Sequence, residues 1–172
     1  MSKLKALIAG VVALAATTVV HAETIVVGGK NFTEQQILAS MTSQYLDSLG
    51  YDVEKKSGMG SAVLRQAQEN GQIDLYWEYT GTSLINYNDV TEKLSPEETY
   101  QRVKELDAEK GLVWLQPSDA NNTYALAMRA KDAEKRGIKT ISDLAEAVNN
   151  GKDLTFASNA EFYAREDGLR PL

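Results

Sequence analysis

From Thr24 onward, short β-branched runs alternate with amphipathic segments that end on glycine, and the links between them are short. This alternation selects βαβ units around a parallel sheet, because parallel neighbours need a crossover between them. TIVVGG (24–29) reads as a first strand. Residues 33–50 read as a helix with Ile37, Met41, Tyr45 and Leu49 on one stripe, a capping box from Thr33 and Gln36, and a stop at Gly50. YDVEKK (51–56) reads as a second strand and SAVLRQAQENG as a helix closed by Gly71. QIDLYWEY (72–79) reads as a third strand with Ile73, Leu75, Trp77 and Tyr79 on one face. The next helix has Ser95 at its cap, Pro96 at its first position, Glu98 closing the box and Gly111 at its stop. LVWL (112–115), TYALAMR (123–129) and LTFAS (154–158) are expected as strands, SDLAEAVNNG (142–151) as a capped helix, and a short helix closes the chain. The loop QPSDANN (116–122) is the expected lobe boundary, giving a first α/β lobe at 23–124 and part of a second at 125–172. The second stretch holds too few elements for an α/β lobe of ordinary size, so a truncated chain is expected.

The first 22 residues have the build of an export signal. A basic head, MSKLK, precedes the apolar run ALIAGVVALAATTVV, and VHA puts small residues at the −3 and −1 positions of a cut after Ala22. The expected mature chain is free in the periplasm. Losing Lys3 and Lys5 moves the formal charge from −6 to −8, which argues against nucleic acid as a partner. His21 is the one histidine and leaves with the signal, and the chain has no cysteine. Histidine-based nucleophile systems, ordinary zinc sites and disulfide staples are therefore outside this chemistry. No cofactor is expected.

The densest chemistry lies in DLYWEYTGT (74–82), where three aromatic rings and two carboxylates precede a Thr-Gly-Thr turn. On a strand, Asp74 and Glu78 would stand roughly 13 Å apart. Glycosidase carboxylate pairs are roughly 5–9.5 Å apart, so a sugar-cleaving enzyme is disfavoured.

VGGKNFTEQ, GMGSAVLRQA, GQIDLYWEYTGT, NNTYALAMR, TISDLA and EFYAREDGL occur in this order. Together they resemble the substrate-binding proteins of ABC importers for glycine betaine, choline, carnitine and related quaternary amines. The resemblance spans 23–172 and ends about halfway along the family pattern. It implies a type II periplasmic binding protein fold of two α/β lobes with mainly parallel sheets, the second lobe incomplete here. It implies a quaternary amine in the cleft between the lobes, a membrane permease as partner, and no catalysis. Such a ligand has no N–H to donate, and aromatic faces offer it quadrupole density and apolar surface. The carboxylate of a betaine would instead want Lys, Arg, hydroxyls or backbone N–H groups. Tyr79 and Tyr124 match cage rings, Lys30 and Arg165 match partners of the ligand carboxylate, and Asn122 would orient Tyr124 or touch the ligand. The Thr82 hydroxyl would meet the ligand carboxylate or cap a helix. Trp77 stands where many relatives have Pro, Gly29 where Ser is common, and Asn122 where some relatives carry an acid.

Other readings stay open beside these. Lys30 could be an exposed loop lysine, Arg165 could pair with Glu161 or Glu166 on a helix surface, and Tyr79 could simply pack a strand end. Trp77 shares the apolar face of its strand and is expected in the core, with Asp74 and Glu78 in solvated or structural roles. A binding protein of the same fold for amino acids or sugars is the alternative function.

Overall fold

The computed structural model describes residues 23–172, so the signal read at 1–22 lies outside the described residues. β1 (Ile25–Lys30) and β2 (Val53–Met59) pair in parallel and are joined through α1 (Thr33–Ser48). Ile25 stands opposite Val53 and Gly29 opposite Ser57, and an irregularity then brings Lys30 opposite Met59. On the other edge of β1 the expected third strand contracts to one parallel bridge, Val27 with Leu75. The Gly28 N–H donates to the Leu75 carbonyl at 2.8 Å and the Asp74 N–H to the Val26 carbonyl at 2.9 Å. The Asp74 carboxylate takes the Val26 N–H at 2.6 Å, a donor that a longer ladder would have used.

Past Leu75 the chain leaves the sheet edge, and strict alternation ends there. Trp77 is therefore not in the core. It is exposed, and its indole N–H donates to the Thr42 hydroxyl at 2.9 Å. Tyr76 turns inward instead, against the buried cluster of Leu64, Ala67 and Ile73. Leu64 and Ala67 come from α2 (Ser61–Glu69), which covers β1.

The stripe Ile37, Met41, Tyr45 and Leu49 does not face the core either. All four are exposed, and Gln35 and Ala39 are the buried residues of α1. A close approach explains this orientation. A Cβ built on Gly29 would lie 2.9 Å from the Ala39 Cβ and 3.1 Å from the Ser57 Cβ, so the helix meets the sheet through its smallest residues. The box expected from Thr33 and Gln36 is also not formed. Thr33 is already helical, and Phe32 takes the N-cap position without a side-chain bond.

Neighbouring Gly28 is equally tight, its notional Cβ falling 2.6 Å from a Leu64 methyl and 2.8 Å from an Ile73 methyl. Gly28→Ala is expected to cost about 1–3 kcal/mol through overpacking, read as a lower urea midpoint. An unchanged midpoint would show that this contact is loose.

The helical turn α3 (Thr80–Thr82) runs into a π-helical turn, Ser83–Tyr87. α4 (Pro96–Ala108) has the predicted cap, with Ser95 and Glu98 bonded reciprocally and Pro96 at its start. Tyr100, Val103 and Asp107 are its buried side. α5 (Ala130–Arg136), α6 (Ile141–Asn149, boxed by Thr140 and Asp143) and α7 (Ala160–Ala164, capped by Asn159) follow. LVWL, TYALAMR and LTFAS are not strands. Their backbones join no ladder among the described residues, and Val113, Leu115 and Phe156 are exposed. An extended run becomes a strand only where an edge is offered to it. No described helix is long and apolar enough to cross a membrane.

Candidate functional site

β1 delivers Lys30 to the interior at its C-terminal end, where it is 1 % exposed. Its ammonium meets the Glu78 carboxylate at 2.5 Å and stands 5.0 Å from the centroid of the Tyr79 ring. Glu78 also accepts the Tyr76 hydroxyl at 2.8 Å and the Tyr79 N–H at 2.8 Å, so the carboxylate fixes both neighbouring tyrosines. Phe32 stacks on Tyr79 with centroids 6.2 Å apart. The Gln35 amide donates to the Tyr79 hydroxyl at 3.0 Å and to the Trp77 carbonyl at 2.9 Å. Asn122 reaches the same corner, donating to Glu34 at 2.6 Å. Burial pushes the Tyr79 phenol up, against the hydrogen bonds of Gln35 and Asn122.

A second ring group forms around Arg165. Its guanidinium is buried and lies 5.3 Å from the centroid of Tyr124. Tyr124 in turn packs at 4.7 Å on Phe162, and Phe162 at 6.3 Å on Phe156. Arg165 Nη1 donates to the Thr82 hydroxyl at 2.9 Å, while Nε and Nη2 hold the two oxygens of Asp167 at 2.7 Å each. Glu161 lies 3.6 Å from the same guanidinium and accepts the Ser61 hydroxyl at 2.6 Å. Burial acts to lower the Arg165 pKa, and the bonds to Asp167 outweigh it and raise it.

The structure thus brings Lys30 to Tyr79, Asn122 to the edge of Tyr79, and Thr82 and Tyr124 to Arg165. Tyr79 and Thr82 share one turn, and Asn122 and Tyr124 share one extended segment, so the two ring groups are linked twice along the chain. Tyr87 feels a carboxylate from each group. Burial pushes its phenol up, and the charges of Glu78 and Glu161 push it further. Lys30 is no exposed loop lysine, and Thr82 makes no side-chain cap bond, its hydroxyl serving Arg165 instead. The described residues contain no cluster of three or more His, Asp or Glu placed to hold a metal ion.

Residues 23–170 match the family described as the substrate binding domain of the ABC-type glycine betaine transport system, OpuAC. The chain belongs to this family. A glycine-betaine-binding protein of Pseudomonas aeruginosa is 50 % identical over 165 residues, 92 % of this chain and 53 % of that relative. The glycine betaine-binding protein YehZ of Escherichia coli is 35 % identical over 152 residues, 86 % of this chain and 50 % of the relative. The solved structure of apo YehZ superposes with a TM-score of 0.58 at 34 % identity, covering 86 % of this chain and 54 % of that one. The chain spans about half the length of these relatives. The fold is accordingly that of a type II periplasmic binding protein.

Within this OpuAC chain, sequence reasoning missed Phe32, Phe162 and Asp167, and it gave Glu78 a solvated or structural role without finding its partner Lys30. Phe32 and Phe162 sit inside the recognised motifs NFTEQ and EFYAREDGL, next to residues that were singled out. The signal for Asp167 was its place two residues after Arg165. The pairing of Glu78 with Lys30 gave no local signal, since the two are 48 positions apart.

Proposed function

We propose that this chain is the solute-binding component of an ABC importer, exported to the periplasm by a cleaved signal at 1–22. It holds glycine betaine, choline or a related quaternary ammonium in an aromatic cage between two lobes, 23–124 and 125–172, and passes it to a membrane permease. Tyr79 and Tyr124 are the cage rings, with Asn122 as their polar support. Lys30, Thr82 and Arg165 make the basic, hydroxylated end. The chain binds and releases without catalysis.

One observation carries this reading. Each of the two tyrosines already has a cationic side chain against its ring, Lys30 at 5.0 Å and Arg165 at 5.3 Å. Rings that accept an ammonium and a guanidinium have the electron-rich face that a methylated cation needs. The names of the relatives, which cite glycine betaine, support the same ligand class.

Calorimetric titration with glycine betaine, choline, carnitine, proline and a neutral sugar tests the reading, with heat expected from the quaternary amines. Heat from the sugar alone, or turnover of any ligand, would sink it. Tyr79→Ala and Tyr124→Ala should each weaken binding by about 1–2 kcal/mol, and Phe at either position should cost less, because the ring face persists. Equal losses for Phe and Ala would mean that the hydroxyls act and the faces do not.

A further inference from the structure

Both bases of the site are already occupied by carboxylates of the same chain. Asp167 fills the Nε and Nη2 side of Arg165 with two bonds of 2.7 Å, the geometry in which a free carboxylate would dock there. The turn that presents Asp167 is tightly fixed. A Cβ built on Gly168 would fall 2.0 Å from the Phe162 carbonyl, so only glycine lets the chain fold back against α7 at this point. The Leu169 N–H donates to that same carbonyl at 2.9 Å, and Asn86 reaches Asp167 from the π-helical turn at 3.5 Å. Lys30 is likewise paired, through a single contact of 2.5 Å to Glu78. Around the two ring groups, Lys30 and Arg165 thus face three carboxylates, Glu78, Glu161 and Asp167, an excess of one negative charge, and Glu34 adds a fourth carboxylate that is held by Asn122 and by neither base.

We propose that Asp167 is an internal stand-in for a ligand carboxylate, and that it tunes this site toward quaternary ammonium ligands without an acid group, of the choline type. This rests on the quaternary-amine reading above and narrows it. A carboxylate tethered two residues from the guanidinium competes at an effective concentration of roughly millimolar or more. A betaine must displace it, or leave its own acid end unpaired in a negative field. A monovalent cation with a neutral tail meets the same rings, keeps the Arg165–Asp167 pair intact and gains from the surplus charge. Asp167 is a specificity-determining residue under this proposal, acting on the ligand through Arg165.

The test is calorimetry with choline and glycine betaine on the purified wild-type protein and on Asp167→Asn, with circular dichroism as the folding control. The wild type is expected to bind choline at least about tenfold more tightly than glycine betaine, and Asp167→Asn to narrow that ratio about tenfold, chiefly by improving glycine betaine. Glycine betaine binding as tightly as choline in the wild type would overturn the proposal, and this arm needs no variant. Equal weakening of both ligands by Asp167→Asn would also overturn it, since that is what a purely structural tether would do. Absence of heat from either ligand would instead overturn the quaternary-amine reading, and this narrower one with it.

Discussion

Asp107→Ala is expected to destabilise the protein by about 3–5 kcal/mol, the loss typical of removing one partner from a buried ion pair. Asp107 is 0 % exposed. Its Oδ1 accepts from Arg65 at 2.7 Å and from Asn88 at 3.0 Å, and its Oδ2 accepts from Arg65 at 3.0 Å, Ser83 at 2.8 Å and Trp114 at 2.7 Å. One carboxylate therefore ties α2, the π-helical turn, α4 and the segment after α4. Removing it leaves Arg65 buried with only Glu69 as a counter-charge. Asp107→Asn should also be costly, because its amide group would point a donor at other donors. The same residue sets an acid limit. Burial pushes the carboxyl up, but its donors outweigh this and hold it well below its ordinary 3.8. A carboxyl depressed in the fold binds fewer protons natively than when unfolded. Its contribution is complete above about pH 4 and is lost as the pH falls below that. Urea melts of wild type and Asp107→Asn across pH 2–7 should show a slope at the acid end that the variant has partly lost. Matching midpoints for wild type and Asp107→Ala would mean that the network contributes nothing.

What the sequence made legible, and what it did not, divides along the range of the interactions. Caps and stops are short-range, and the Ser95–Glu98 box, Pro96 at its helix start and the glycine stops at Gly50, Gly71 and Gly151, all at positive φ, follow from the residues on the spot. The β1–α1–β2 unit was equally readable from period and punctuation. The orientation of α1 was not. An apolar stripe names a face, but the face that packs was decided by the Gly29–Ala39 approach, which overrode it. The third strand failed for a related reason, since the Asp74 side chain took a ladder donor from Val26. At the site, the ordered motifs marked Tyr79, Tyr124, Lys30 and Arg165 alike, and ring chemistry only says why such rings suit a methylated cation. Counter-ions stayed hidden where pairing is long-range. Arg65–Asp107 spans 42 positions and Lys30–Glu78 spans 48, and neither distance leaves a periodic trace.

The second large effect is expected from Lys30→Met, at about 3–5 kcal/mol of stability. Methionine has nearly the length of the lysine stem and keeps its packing, so the loss isolates the charge. Glu78 would keep the Tyr76 hydroxyl and the Tyr79 N–H but face them as an uncompensated carboxylate, with its side chain only 6 % exposed. Adding Glu78→Gln should restore most of the loss. A neutral amide can still accept from the Tyr79 N–H, and its own N–H can donate to the Tyr76 oxygen. The double-mutant cycle thus separates a charge pair from mere crowding, because crowding would leave the two losses additive. The cycle also bears on binding. In the double variant the Tyr79 ring no longer has an ammonium beside it, while its backbone anchor remains. If Lys30 takes a ligand carboxylate directly, the double variant loses glycine betaine and keeps choline. If Lys30 serves only to fix Glu78 and the strand end, both ligands should bind the restored fold about as they bind the wild type.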